Sequence, residues 1–325
     1  MAVVDAYTAL NLVNPVYASG QTQTATSTNI VISDGFTTSN YQGTGFTFSA
    51  TAVTGGTLLR YTEYHGGVLA ADALGLSIPA TVVQSYIEVN NQAGLFAVAL
   101  SGDDRINGSV FADKLAGYEG NDAIFGGAGN DRIDGGNGSN SIDGGEGLDI
   151  AVFAATAASY QVSLGSSITV NRLDGSADNS LTSIERLAFT DQTIAFDQTA
   201  AQGYRLYQAA FDRVPDQAGL SFWVHSLDDG TSLASAATSF IASQEFKGLY
   251  GDNPTDIQFV DLLYHNVLDR DADQGGYDYW VGQLQSGSSR ASVLVNFSES
   301  AENIANVAGA IAGGIHLDAE VQIWG

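Results

Sequence analysis

Gly126-Gly127-Ala128-Gly129-Asn130-Asp131-Arg132-Ile133-Asp134 is followed at once by Gly135-Gly136-Asn137-Gly138-Ser139-Asn140-Ser141-Ile142-Asp143, nine residues on the same plan. Worked outward, the plan covers residues 99–152 as six nonapeptides that begin at Ala99, Gly108, Gly117, Gly126, Gly135 and Gly144. The sixth position holds Asp104, Asp113, Asp122, Asp131, Asn140 and Asp149, and the eighth holds Ile106, Leu115, Ile124, Ile133, Ile142 and Ala151. Glycine occupies the fourth position in five of the six units, as Gly102, Gly120, Gly129, Gly138 and Gly147. A flexible glycine-rich linker does not return an aliphatic residue every nine positions, so this segment has a fold.

Each position has a physical task. Glycine lets the backbone turn sharply and brings carbonyls close together. Aspartate supplies a hard anionic oxygen of the kind calcium takes, about six to eight of them at roughly 2.3–2.6 Å. The eighth residue sits on a strand of two or three residues and points inward. The pattern G-G-x-G-x-D-x-U-x is that of a calcium-binding parallel β-helix. With two nonapeptides to a turn, Asp104, Asp122 and Asn140 are expected along one edge, and Asp113, Asp131 and Asp149 along the other. Pairing units one with three, two with four, three with five and four with six allows about four ions at most.

These residues closely resemble the RTX (repeats-in-toxin) calcium-binding family, and Gly126-Gly-Ala-Gly-Asn-Asp131 matches its loop in full. The resemblance implies that carbonyls of the first four loop positions join the aspartate around each ion. Gly127, Gly129 and Asp131 would then face one ion, and Gly126, Ala128 and Asp131 the next. By the same rule Gly102, Gly117, Gly120, Gly135, Gly136, Gly138, Gly144, Gly145 and Gly147 complete the ligand set. Three departures stand out: Asn140 has no charge, Phe111 replaces a fourth-position glycine, and Ala99-Leu100 replaces a glycine pair. The site between units three and five is therefore expected to be weak, and unit one to act as a cap. An ion that binds only the folded chain stabilises it by about 2.7 kcal/mol per independent site at a hundredfold excess over Kd. Calcium is thus expected to switch folding on.

The flanks differ in composition. Residues 1–98 are rich in Thr, Gly and Val, with alternation such as Asn29-Ile-Val-Ile32, and are expected to form a β-rich cap. Residues 153–200 are expected to form a second β-rich cap, with Ile184, Leu187 and Phe189 covering the open end of the roll. Residues 201–325 switch to helical periodicity and repeat at an offset of 57 residues. Tyr207 matches Tyr264, Asp212-Arg213 matches Asp269-Arg270, Trp223 matches Trp280, and Ser243 and Glu245 match Ser300 and Glu302. Each copy is expected to be three helices, the second starting near the tryptophan. Residues 204–305 resemble a helical domain-of-unknown-function family often attached to RTX and surface-layer proteins. Asp269, Asp271 and Asp273 have EF-hand-like spacing, but Gln274 and Trp280 stand where that loop needs Gly and Glu; aspartates capping a turn between helices are the simpler reading. The fold class expected is β plus α: a calcium-bound parallel β-roll with β-rich caps, then an all-α domain of two 57-residue repeats.

Bulk properties narrow the function. The formal charge is −25, from 36 acidic and 11 basic residues, which disfavours nucleic acid and anionic membranes and favours cations. There is no cysteine. The first residues lack the basic and apolar regions of a signal peptide, so an export signal is expected in the tail from Ala301, which ends Val321-Gln-Ile-Trp324. Neither the spacing of His65, His225, His265 and His316 nor any nucleophile or phosphate-loop motif points to catalysis. Not an enzyme is the expectation; a hydrolase with its activity in residues 1–98 is the least favoured alternative. The expected protein is a secreted, calcium-binding structural one at the cell surface, exported by type I machinery as the RTX resemblance implies. Its partners would be copies of itself or other surface and matrix components. A calcium-dependent adhesin gripping surface glycan, with Trp223 and Trp280 as stacking platforms, is the alternative.

Overall fold

A computed structural model describes the 325-residue chain except residues 9, 11, 13–20, 50, 51, 90 and 320–325. The molecule is β plus α and divides into two compact units, one of residues 1–192 and the other Thr193–Asp318. Among the described residues no helix is long and apolar enough to cross a membrane.

The first unit opens with β1 (Val3–Ala6), β2 (Gln21–Ala25), β3 (Asn29–Ser33), β4 (Thr37–Phe48), β5 (Val53–His65) and β6 (Val68–Pro79). Two helices that the β-rich reading of residues 1–98 did not include follow: α1 (Ala80–Glu88) and α2 (Gln92–Ala99). The β-branched residues of Ala80-Thr-Val-Val-Gln-Ser-Tyr-Ile-Glu88 favour strand locally. Packing overrides that preference, because helical spacing buries Ala80 and Val83 together. Asn91 caps α2 by accepting from the Gly94 N–H at 3.0 Å. Leu95 and Phe96 then line a narrow apolar crevice with Tyr41, Leu58 and Ile78. Ala99 consequently ends a helix instead of opening a loop, so the first nonapeptide has no regular first half.

The roll follows as β7 (Arg105–Asn107), β8 (Lys114–Ala116), β9 (Ala123–Ala128), β10 (Arg132–Asp134), β11 (Ser141–Glu146) and β12 (Ile150–Val152). Strands alternate between two parallel sheets at an 18-residue step: Ile106 pairs with Ile124, and Ile124 with Ile142. On the other side Leu115 pairs with Ile133, and Ile133 with Ala151. β9 and β11 run to six residues, longer than the two or three expected, because Gly127 and Ala128 continue the ladder to Gly145 and Glu146. The eighth-position side chains fill the interior; Ile106, Leu115, Ile124, Ile133 and Ala151 have no exposed surface and Ile142 has 3%. Full burial stabilises by about 1.5–3 kcal/mol per large aliphatic side chain.

The roll is longer than its nonapeptides. β1 joins β7 in parallel, and Leu12 and Leu10 exchange backbone hydrogen bonds with Lys114, so β1, Leu10 and Leu12 add a turn at one end. After a hairpin of β13 (Tyr160–Leu164) and β14 (Ile168–Arg172), β15 (Asp178–Thr182) pairs in parallel with β11 and β16 (Arg186–Ala188) with β12. Ile184, Leu187 and Phe189 are buried there.

The second unit contains β17 (Gln192–Ala195) after its first residue, then eight helices and β18 (Ile315–Asp318). The helices are α3 (Gln198–Phe211), α4 (Gln217–Asp228), α5 (Leu233–Ala242), α6 (Gln244–Tyr250), α7 (Asp256–Leu268), α8 (Gln274–Gln285), α9 (Arg290–Ser298) and α10 (Ala301–Ile311). Four helices therefore stand where three were expected in each half. Ser243 ends α5 and caps α6 by accepting from the Phe246 N–H at 3.2 Å; Ser300 likewise caps α10. The second helix of each half starts at Gln217 or Gln274, well before the tryptophan, because Asp216 and Asp273 supply the caps. Asp212 and Asp269 close the preceding helices in left-handed backbone at φ 46° and 51°. The three second-half aspartates thus divide into a helix end, an exposed Asp271 and a cap, the turn expected in place of an EF-hand. Trp223 and Trp280 are half-buried against Phe240 and Phe297 in the core. The end of the tail, Val321-Gln-Ile-Trp324, lies outside the described residues.

Candidate calcium centre

Sixth-position side chains form two columns. The Asp104 N–H donates to Asp122 Oδ1 at 2.8 Å, and the Asp122 N–H to Asn140 Oδ1 at 2.9 Å. On the other edge the Asp113 N–H donates to Asp131 Oδ1, and the Asp131 N–H to Asp149 Oδ1, both at 2.8 Å. The added turns continue both columns. Ala2 and Leu10 donate their N–H groups to Asp104 and Asp113, while the Asn140 N–H reaches Asn179 Oδ1 and the Asp149 N–H reaches Glu185 Oε2. One carboxylate oxygen is thus spent on holding successive turns together.

In four of the five aspartates the other oxygen has no protein partner. Oδ2 of Asp104, Asp122, Asp131 and Asp149 is buried without a hydrogen bond, in residues exposed by 4% or less. An anionic oxygen left so is costly unless a cation meets it. Burial is the main cause that pushes Asp122 up to about 7 and Asp131 and Asp149 up to about 6. Neighbouring carboxylates on the same column add to each rise: Asp104 for Asp122, Asp149 for Asp131 and Glu185 for Asp149. Asp113 is also raised by burial, but its Oδ2 is engaged by the N–H of Ser109 at 2.6 Å and by its hydroxyl at 3.0 Å.

First-position glycines make room for these oxygens. A Cβ on Gly144 would stand 2.6 Å from Asp149 Oδ2, and one on Gly117 would stand 2.6 Å from the Gly135 carbonyl oxygen of the next turn. Carboxylate and stacked carbonyl therefore converge on one small cradle that any side chain would fill. Among the described residues no group of three or more His, Cys, Asp or Glu could hold a metal by side chains alone. The fit is instead to a cation that takes backbone carbonyls with each carboxylate, which is the preference of calcium. Asn140 breaks the run: its Oδ1 accepts from Asp122, so its unpartnered Nδ2, a donor, faces the cradle of Gly135.

One set of structural residues is not in the nonapeptide reading. Fifth-position side chains form an outer ladder running the opposite way. The Asn121 N–H donates to Asp103 Oδ1 and the Ser139 N–H to Asn121 Oδ1, both at 2.8 Å, and the Leu148 N–H donates to Asn130 Oδ1 at 3.0 Å. The recurrence of Asp, Asn and Ser before the sixth position is the sequence signal for it.

The RTX calcium-binding nonapeptide repeat family matches residues 98–133 and 117–151. A domain of unknown function, DUF4214, matches residues 237–307. None of the curated proteins matches this chain. Among solved structures, the extracellular lipase LipA from Serratia marcescens aligns with 30% of this chain at 20% identity and a TM-score of 0.19. The alignment spans 16% of that lipase's length, and at that score it carries no argument about fold or activity. Residues 98–151 are RTX calcium-binding nonapeptide repeats, and a DUF4214 domain follows them.

Proposed function

We propose that this chain is a secreted, non-enzymatic structural protein that folds on meeting extracellular calcium and assembles at or near the cell surface, as a surface-layer, filament or matrix subunit. The buried, unpartnered Oδ2 atoms of Asp104, Asp122, Asp131 and Asp149 carry the calcium half of this reading. Their ligand shells are completed by the carbonyls of the glycine loops, with about four ions along the nonapeptides and the weakest beside Asn140. Export by type I machinery and an address in the tail belong to the same proposal. So do the division at residues 98, 152 and 200 and the origin of the helical domain in two 57-residue copies. Phe222 and Tyr279, exposed and packed edge-on against Trp223 and Trp280, favour a second reading, a glycan- or partner-binding adhesin.

Calcium titration of the purified chain, followed by circular dichroism and light scattering, tests the proposal. Added calcium is expected to build β-structure and then high-mass species, both reversed by EGTA. Identical spectra and melting in EGTA and millimolar calcium would remove the calcium reading. A calcium-bound chain that stays monomeric would remove assembly and shift the weight to the adhesin.

A further inference from the structure

We propose that the second edge of the roll carries one more calcium site than its nonapeptides encode, with Glu185 standing where the next sixth-position aspartate would be. The inference rests on the calcium reading above. Glu185 directly precedes β16 as Asp131 precedes β10, and β16 is the next parallel strand beyond β12. Glu185 Oε2 accepts the Asp149 N–H at 2.8 Å, the same bond that Asp149 Oδ1 forms with the Asp131 N–H.

The carbonyl of Ser183 also repeats the pattern. It lies against Gly144 as the carbonyl of Gly144 lies against Gly126, and that of Gly126 against Gly108. Between these groups sits Asp149 Oδ2, in a residue with no exposed surface and without a hydrogen-bond partner. Asp149 Oδ2 and the stacked Ser183 carbonyl therefore meet in one buried cradle, with the Glu185 carboxylate bound to the Asp149 backbone beside it and outside the segment matched as repeats, which ends at residue 151.

The loop is shorter here. Residues 183–185 replace the six residues 144–149, and the longer glutamate side chain spans the difference. Fewer backbone carbonyls remain, so water must complete the shell of about six to eight oxygens, and the site binds more weakly than those between full loops. The first edge ends differently. There Asn140 donates its N–H to Asn179, whose Nδ2 is turned to the Val170 carbonyl at 3.2 Å; two neutral amides leave no anion for a cation.

Counting calcium ions on the full chain by native mass spectrometry and calorimetry, with Glu185→Gln beside the wild type, tests the site. Glutamine keeps an oxygen for the Asp149 N–H, so the variant is expected to reach the wild-type circular dichroism spectrum in saturating calcium. It is expected to bind one ion fewer and to lose the weakest calorimetric phase. Asp149→Asn, which touches this site and the one below it, is expected to lose more than Glu185→Gln does. Equal ion counts in the wild type and Glu185→Gln, whether or not their spectra differ, would overturn the inference and leave the calcium reading standing. A wild type that binds no calcium would remove both.

Discussion

In the roll, Asp122 is buried with one carboxylate oxygen unpartnered, and burial pushes it up to about 7. In the helical unit, Asp216 stands at the start of α4, accepts the Tyr207 hydroxyl at 2.6 Å and the Gly219 N–H at 2.8 Å, and is held down at about 2. The Tyr207 hydrogen bond is the largest cause of that fall. Other acids of the helical unit also find partners within it. Glu245 pairs with Arg213, Glu302 with Arg270, and Glu299 holds the buried Arg205 through two bonds of 2.8 and 2.6 Å. The comparison teaches what the acid is for. Where the fold supplies donors, carboxylates end helices and tie them together; where it withholds them, one carboxylate oxygen stays buried and unpartnered.

The comparison can be broken most severely at a glycine. Gly129 has a φ of +114°, and a Cβ there would stand 2.5 Å from the Phe111 backbone. Gly129→Ala is expected to cost about 3 kcal/mol or more. Hydrogen exchange should show lost protection in residues 104–152 with the helices unchanged; loss in both units alike would mean that the roll does not stand apart.

A change of pH sharpens the contrast. Asp122, Asp131 and Asp149 are raised above their unfolded values, so without metal the folded roll holds more protons than the unfolded chain. Their stabilising contribution is full below about pH 4 and is lost as pH rises through about 6 to 7. In EGTA, acidification from pH 8 towards 5 is therefore expected to restore part of the β-structure that chelation removes, read by circular dichroism. In calcium the β-structure should fall instead, because protons displace the ion. A flat profile in EGTA would contradict the assignment of these carboxylates as unpaired. The smallest effect is expected in the helical unit. Asp216→Ala removes an N-cap and should lower stability by about 1 kcal/mol, with no change in calcium bound; a changed ion count would erase the distinction.

The roll was legible because its signal is periodic: one aliphatic residue and one aspartate or asparagine every nine positions survive any local ambiguity. The added turns were not. Residues 1–12 carry no nonapeptide, and Glu185 lies 36 residues beyond the Asp149 it bonds to, so only tertiary pairing brings either to the roll. Helices α1 and α2 were hidden by Val, Ile and Phe, which read as strand until Val83 and Phe96 find a core to face. The split of the third helix in each half turns on Ser243 and Ser300, residues visible in the repeat but whose role as caps depends on the backbone they meet.

Turns within the roll close over 18 residues, whereas the N–H of Ala2 reaches Asp104 across 102. The difference in loop-closure entropy is about 1.5 kcal/mol against the distant strand. Ordering is thus expected to begin in the middle, where neighbouring turns find one another quickly, and to finish at the ends. The terminal pieces act as end-stops: they arrive late, and until they do the growing ladder exposes a strand at each face that another chain could pair with.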